Sequence, residues 1–148
     1  MAEATVFVAR RTVEFSDSDM GGVVHFSRYL VYMETAEHQF LRSRGVDVHT
    51  SMDGRVISWP RVAVQCEYSR PARFKDELDI EVRVLRRGSR SVTYGFRINR
   101  TGEFLARGEM TAVCCAIDGV TGSLESMVIP AEIAARIGVG ENERGESD

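Results

Sequence analysis

The strongest constraint on this chain is a train of alternating segments joined by turns of only a few residues. In residues 61–68, Val62, Val64, Cys66 and Tyr68 alternate with Ala63, Gln65 and Glu67. In residues 77–86, Leu78, Ile80, Val82 and Val84 alternate with Asp79, Glu81 and Arg83. In residues 91–99, Val92, Tyr94, Phe96 and Ile98 alternate with Ser91, Thr93, Arg97 and Asn99. A period of two is that of a strand with one face buried and the other wet. A more apolar segment, 103–117, reads as a longer strand covered on both faces for part of its length. The links Arg87-Gly88-Ser89 and Asn99-Arg100-Thr101-Gly102 are too short for a crossover, so these strands must pair antiparallel.

Upstream, residues 5–15 have β-rich composition and read as a strand, and residues 28–44 form the clearest helix. Tyr29, Tyr32, Met33, Ala36 and Phe40 recur at helical spacing, with Leu30 and Leu41 widening the apolar stripe. Ser27 is placed to cap the start, and Gly45 sits where a C′ glycine belongs. Residues 46–56 read as a loop with a turn at Asp53-Gly54. Pro130 to Ile137 suits a short helix with Pro130 near its first position. The expected organisation is one domain over residues 1–138 and a disordered acidic tail over 139–148. A single broad apolar helix and a wide antiparallel sheet predict an α+β sandwich.

A net charge of -3 argues against a general nucleic-acid binder. No stretch approaches the roughly 18 apolar residues of a membrane span, and the first residues hold no signal-type apolar core. A soluble cytoplasmic protein is therefore expected. Cys66, Cys114 and Cys115 match no zinc or redox spacing and read as reduced, buried small hydrophobes, and no metal is expected.

Chemistry concentrates in residues 15–29. Asp17 and Asp19 precede the Gly21-Gly22 pair, and the apolar turn Val23-Val24-His25-Phe26 then feeds the helix. A helix start carries unpaired N–H groups and partial positive charge, and glycine lets backbone approach a ligand closely. A carboxylate beside such donors is what acyl transfer requires: something to attack a carbonyl, and donors for the developing oxyanion. The residues alone leave open that both acids only shape an ordinary strand-to-helix loop.

This segment resembles the motif of the 4-hydroxybenzoyl-CoA thioesterase-like family, which includes the Tol-Pal-associated acyl-CoA thioesterases. The match runs through Phe15, Asp17, Asp19, Gly22, Val24, His25, Phe26 and Tyr29. The resemblance implies a hotdog fold, a five-stranded antiparallel sheet wrapped around one long central helix. It implies hydrolysis of an acyl-CoA to free acid and CoA, with Asp19 as nucleophile or general base and the Phe26 N–H polarising the thioester carbonyl. Asp17 then shapes the loop through side-chain-to-backbone bonds. His25 sits one residue earlier than the histidine of some members and is a candidate for orienting water or substrate. Gly22, Tyr32 and Trp59 are candidate substrate contacts, and Arg86, Arg87 and Arg90 with Ser89 are candidates for the CoA phosphates. CoA enters as part of the substrate, so no cofactor is implied. An acyl carrier protein is the alternative carrier, and a homodimer or homotetramer is expected. Two other readings remain at this point: a dehydratase or hydratase pairing His25 with Glu34 or Glu37, and a non-catalytic acyl-CoA or carrier-protein binding module.

Overall fold

The computed structural model describes residues 6–52 and 54–140. Five strands form the main sheet: β1 (Phe7–Thr12), β4 (Arg61–Tyr68), β5 (Glu77–Arg87), β6 (Ser91–Arg100) and β7 (Glu103–Val113). Their order is β1-β5-β6-β7-β4, every neighbouring pair antiparallel. The alternation sets their faces: Leu78, Ile80, Val82, Val92, Tyr94, Phe96 and Ile98 all point inward and are buried.

Helix α1 (Arg28–Ser43) lies on that inner face. Its buried stripe is Tyr29, Tyr32, Met33, Ala36, Glu37, Phe40 and Leu41. Small residues on β7 let the helix come close. A Cβ on Gly108 would lie 2.7 Å from Met33 Cε and 2.8 Å from the Gln65 carbonyl oxygen of β4, so a larger residue there would force both the Met33 side chain and the neighbouring strand to shift. The helix ends as expected at Gly45 (φ +74): the Gly45 N–H donates to the Arg42 carbonyl and the Val46 N–H to the Leu41 carbonyl, a Schellman closure.

Three expectations need correction. The segment 103–117 is not one strand, because β7 stops at Val113. The Cys114 N–H donates to the Arg90 carbonyl and its carbonyl accepts from Met127, which turns the chain out of the main sheet. It then enters a second, four-stranded sheet of order β2-β3-β8-β9, made of Thr50–Met52, Arg55–Ser58, Cys115–Ile117 and Leu124–Ser126. The expected loop 46–56 therefore contains the β2–β3 hairpin, although Asp53 at its turn lies outside the described residues. Finally, β4 alternates as predicted but buries neither face within one chain: Val62 and Val64 are exposed. It is an edge strand, and its inward side extends past the cover that α1 provides.

Helix α2 (Ala131–Ile137) follows Pro130, as the sequence predicts. Residues 141–148 of the expected acidic tail, and residues 1–5, lie outside the described residues. No helix among the described residues is long and apolar enough to cross a membrane.

Candidate active site

The loop between β1 and α1 is pinned at its root: the Val13 N–H donates to the Asp76 carbonyl (2.8 Å) and the Lys75 N–H to the Val13 carbonyl (3.1 Å). A single 3-10 turn, Phe15–Asp17, follows. Ser18 and Val24 then pair as an antiparallel bridge, closing a hairpin around Asp19–Val23. Within it the Asp19 N–H donates to Val23 O (2.8 Å) and the Gly22 N–H to Asp19 O (3.1 Å). Gly22 has φ +81, which glycine adopts without the side-chain clash other residues meet.

The Asp19 carboxylate is exposed. Its Oδ1 accepts from the Gly21 N–H (2.8 Å) and the Val23 N–H (3.4 Å). Its Oδ2 has no hydrogen-bond partner among the described residues. Around it the surface is apolar: Phe15, Met20, Phe26 and Phe74 are all exposed, with Phe15 and Phe74 edge to face at 5.8 Å.

The helix mouth is built from the other arm of the hairpin. The His25 N–H donates to the Asp17 carbonyl (2.8 Å), and the Arg28 N–H to the His25 carbonyl (2.9 Å). Between them, the Phe26 N–H meets no acceptor among the described residues. The Phe26 carbonyl accepts from Tyr68 Oη (2.8 Å), so edge strand β4 touches the same turn. Ser27 occupies the N-cap position, but its hydroxyl does not cap the helix. It bonds His25 Nδ1 at 2.8 Å instead. The Ser27 N–H also donates to Nδ1 (3.3 Å), so in the neutral ring the proton sits on Nε2, and that nitrogen is a donor. The exposed His25 ring stacks on Phe26.

Asp17 behaves differently from Asp19. It is buried, and its Oδ2 accepts from Tyr32 Oη (2.8 Å) and the Glu14 N–H (2.9 Å), while Arg28 Nε lies 3.6 Å from Oδ1. Burial, reinforced by the bond to Asp17, raises the Tyr32 phenol above its ordinary value of 10, so it stays a donor at neutral pH. This network was not visible in the sequence. Helical spacing turns Tyr29 and Tyr32 toward the loop but does not reveal the partner of either hydroxyl.

The remaining sequence candidates lie elsewhere. Trp59 is buried in the core. Arg86, Arg87, Ser89 and Arg90 surround the β5–β6 turn, at the far end of β5 from Asp76, a strand length of roughly 35 Å. Arg87 Nε donates to Gly138 O (2.7 Å) and Arg90 Nη1 to Ser126 O (3.1 Å). Arg86 lies 3.9 Å from Glu109. One chain does not bring this cluster to Asp19. Nor do the helix acids reach the loop: Glu37 is buried against Arg61 (2.7 Å), and Glu34 faces Arg61 (3.7 Å) and His38 (4.0 Å). A cavity of about 340 Å³ on the outer sheet face, over Gly95 and beside Leu85, shares no residue with the Asp19 loop.

The antiparallel sheet, the helix on its inner face and the acid-bearing loop at the helix mouth define a hotdog-type α+β thioesterase fold. The chain belongs to the thioesterase-like superfamily, whose profile matches residues 13–137. Membership places the protein among the thioester hydrolases. It is 31% identical over 103 residues to the acyl-CoA thioester hydrolase YbgC of Escherichia coli, covering 69% of this chain and 76% of that one. A solved hypothetical protein from Thermus thermophilus is 29% identical with a TM-score of 0.77, covering 91% of this chain and 97% of its own. A 4-hydroxybenzoyl-CoA thioesterase variant solved with 4-hydroxybenzoyl-CoA has a TM-score of 0.79, covering 90% of this chain and 99% of its own. At 19% identity its likeness is one of fold.

Proposed function

We propose that this protein is an acyl-CoA thioesterase that converts an acyl-CoA to free acid and CoA at the Asp19 loop. The observation that carries the reading is that, among the described residues, Asp19 Oδ2 has no donor and the Phe26 N–H, just beyond the exit arm of the same hairpin, has no acceptor. The thioester oxygen takes the Phe26 N–H, which stabilises the negative charge that develops there. Oδ2 either attacks the carbonyl carbon, forming an anhydride that water cleaves, or takes a proton from the attacking water. In both routes the C–S bond breaks and the sulfur leaves as the CoA thiolate. The His25 Nε2–H serves as a further donor to water or substrate. Gly22 holds the hairpin, and these groups need no cofactor beyond the CoA that the substrate carries.

The subunit is read as a five-stranded sheet wrapped around one long helix, and its working form as a homo-oligomer. The support is the exposed inward side of β4, Val62 and Val64, on the strand whose Tyr68 touches the Phe26 turn. A second copy covering that edge completes the wall around Asp19. It is also the route by which Arg86, Arg87 and Arg90 reach a CoA bound at Asp19, and by which apolar side chains such as Phe26 enclose the acyl group. Light scattering should give a multiple of the 16.5 kDa chain mass; a monomer at working concentration would overturn this part. We place the protein in the cytoplasm, with an acyl carrier protein as the alternative carrier.

The deciding assay captures released thiol with a chromogenic reagent across acetyl, medium-chain, long-chain and aromatic acyl-CoAs. Turnover is expected with at least one, and Asp19→Asn should lower it about 10²–10⁴-fold while the melting temperature holds, because the side chain is exposed. Undiminished turnover in that variant would remove Asp19 from the mechanism. Hydration of an enoyl thioester, or ligand-induced stabilisation without thiol release, would replace hydrolysis with one of the other readings.

A further inference from the structure

Tyr32 was expected to line the acyl pocket, but it has no exposed surface and its hydroxyl is engaged by Asp17. That bond has consequences on both arms of the hairpin. Asp17 immediately precedes Ser18, whose bridge to Val24 opens the Asp19 turn. The Asp17 main-chain carbonyl also accepts the His25 N–H, fixing the residue just before the Phe26 N–H. The Asp17 side chain is in turn held by Tyr32 Oη, the Glu14 N–H and the nearby Arg28 guanidinium. Asp17 therefore ties the hairpin to the fold, its carboxylate holding the entry arm and the first two turns of α1 and its main-chain carbonyl holding the exit arm.

We propose that Tyr32 is a positioning residue for thioester hydrolysis, acting through Asp17 to fix the spacing between the Asp19 carboxylate and the Phe26 N–H. The inference rests on the assignment of those two groups given above. Asp19 and Phe26 lie on opposite sides of the bridge, so a small hinge of the hairpin changes the gap between them directly. Such gaps matter: a misplacement of about 1 Å can cost about 10²-fold in rate. Tyr32 is suited to the task because it stands on the helix. Its ring is fixed by burial and by the Arg11 guanidinium 5.1 Å from its centroid, so its hydroxyl reports the position of α1 to the loop.

Tyr32→Phe removes one oxygen and keeps the ring. Thiol-release kinetics on this variant, Asp17→Asn, the double variant and Asp19→Asn test the proposal, together with amide hydrogen exchange over residues 18–26. Tyr32→Phe is expected to lower kcat about 10- to 100-fold with KM moved less than about threefold, and to speed exchange in the hairpin. The double variant should be no slower than Asp17→Asn alone, because both substitutions break the same link. A raised KM with kcat intact would make Tyr32 a pocket wall and overturn the proposal, as would additive losses or unchanged exchange. Should Asp17→Asn fail to fold, the kcat and KM of Tyr32→Phe still decide. Full turnover in Tyr32→Phe beside an inactive Asp19→Asn overturns the positioning role alone. Full turnover in Asp19→Asn removes the site assignment, and this inference with it.

Discussion

Helix α1 meets two acids of opposite design. Asp19, on the loop before its start, is exposed, held by two backbone N–H groups of its own hairpin, and has one oxygen without a partner among the described residues. Glu37, near the helix middle, is 1% exposed and locked against Arg61 of β4, with Nη1 2.7 Å from Oε1 and Nη2 donating to Oε2 at 3.0 Å. Burial lifts the Glu37 carboxyl to about 7 from an ordinary 4.5, outweighing the opposing pull of Arg61. The difference teaches what makes a carboxylate chemical rather than structural. Asp19 is open to water, whereas Glu37 is shut away from it and ties the helix to the edge strand through its ion pair with Arg61. This also weakens the hydratase reading, since among the described residues neither Glu34 nor Glu37 contacts His25.

The comparison breaks most sharply at Arg61. Arg61→Ala leaves Glu37 buried without a counter-charge, which should cost about 3–5 kcal/mol at pH 8, a fall of roughly 10 °C in melting temperature. The sign with pH follows from the raised carboxyl. A folded value above the unfolded one favours the folded state fully below about 4.5, and that contribution is lost as pH rises through about 7, on the order of 3 kcal/mol for the native chain. The Arg61→Ala penalty should therefore shrink at pH 5, where Glu37 is protonated in the fold, and adding Glu37→Leu should recover most of it. Urea unfolding at the two pH values measures this. An Arg61→Ala penalty that is equal at both would show that Glu37 is not the titrating group.

Legibility followed the range of the interactions. β5 and β6 were readable because each strand's own alternation decides its faces. β4 carries the same alternation, but a pattern says which residues require cover, not whether the same chain supplies it; Val62 and Val64 remain exposed. The break at Cys114 depends on Arg90 and Met127, partners remote in sequence, so 103–117 read as one strand. The second sheet has strands of three or four residues, too short to show any period. In the site, the loop at Asp19 and Gly22 was legible because its turn residues are local, but its closure as a hairpin through the Ser18–Val24 bridge was not. The Tyr32–Asp17 bond and the Tyr68–Phe26 bond cross 15 and 42 residues, and neither leaves a mark on composition or spacing.

The smallest expected effect isolates the Asp19 side of the comparison. Gly22 and Gly102 share φ +81, and a Cβ on either would meet nothing within 4 Å. Alanine at either position is therefore strained by the backbone alone, at about 1–2 kcal/mol, or roughly 3 °C per kcal/mol in melting temperature. The two substitutions should cost similar stability, because the physical penalty is the same. Their effect on turnover should differ. Gly102 lies in the β6–β7 turn, whereas Gly22 lies in the turn whose N–H groups hold Asp19 Oδ1, so relaxing its strain swings the carboxylate. Gly22→Ala should slow thiol release about tenfold, and Gly102→Ala should leave it unchanged. Equal turnover in the two variants would mean that the hairpin tolerates displacement, and that the reactivity of Asp19 owes little to the exact placement of its loop.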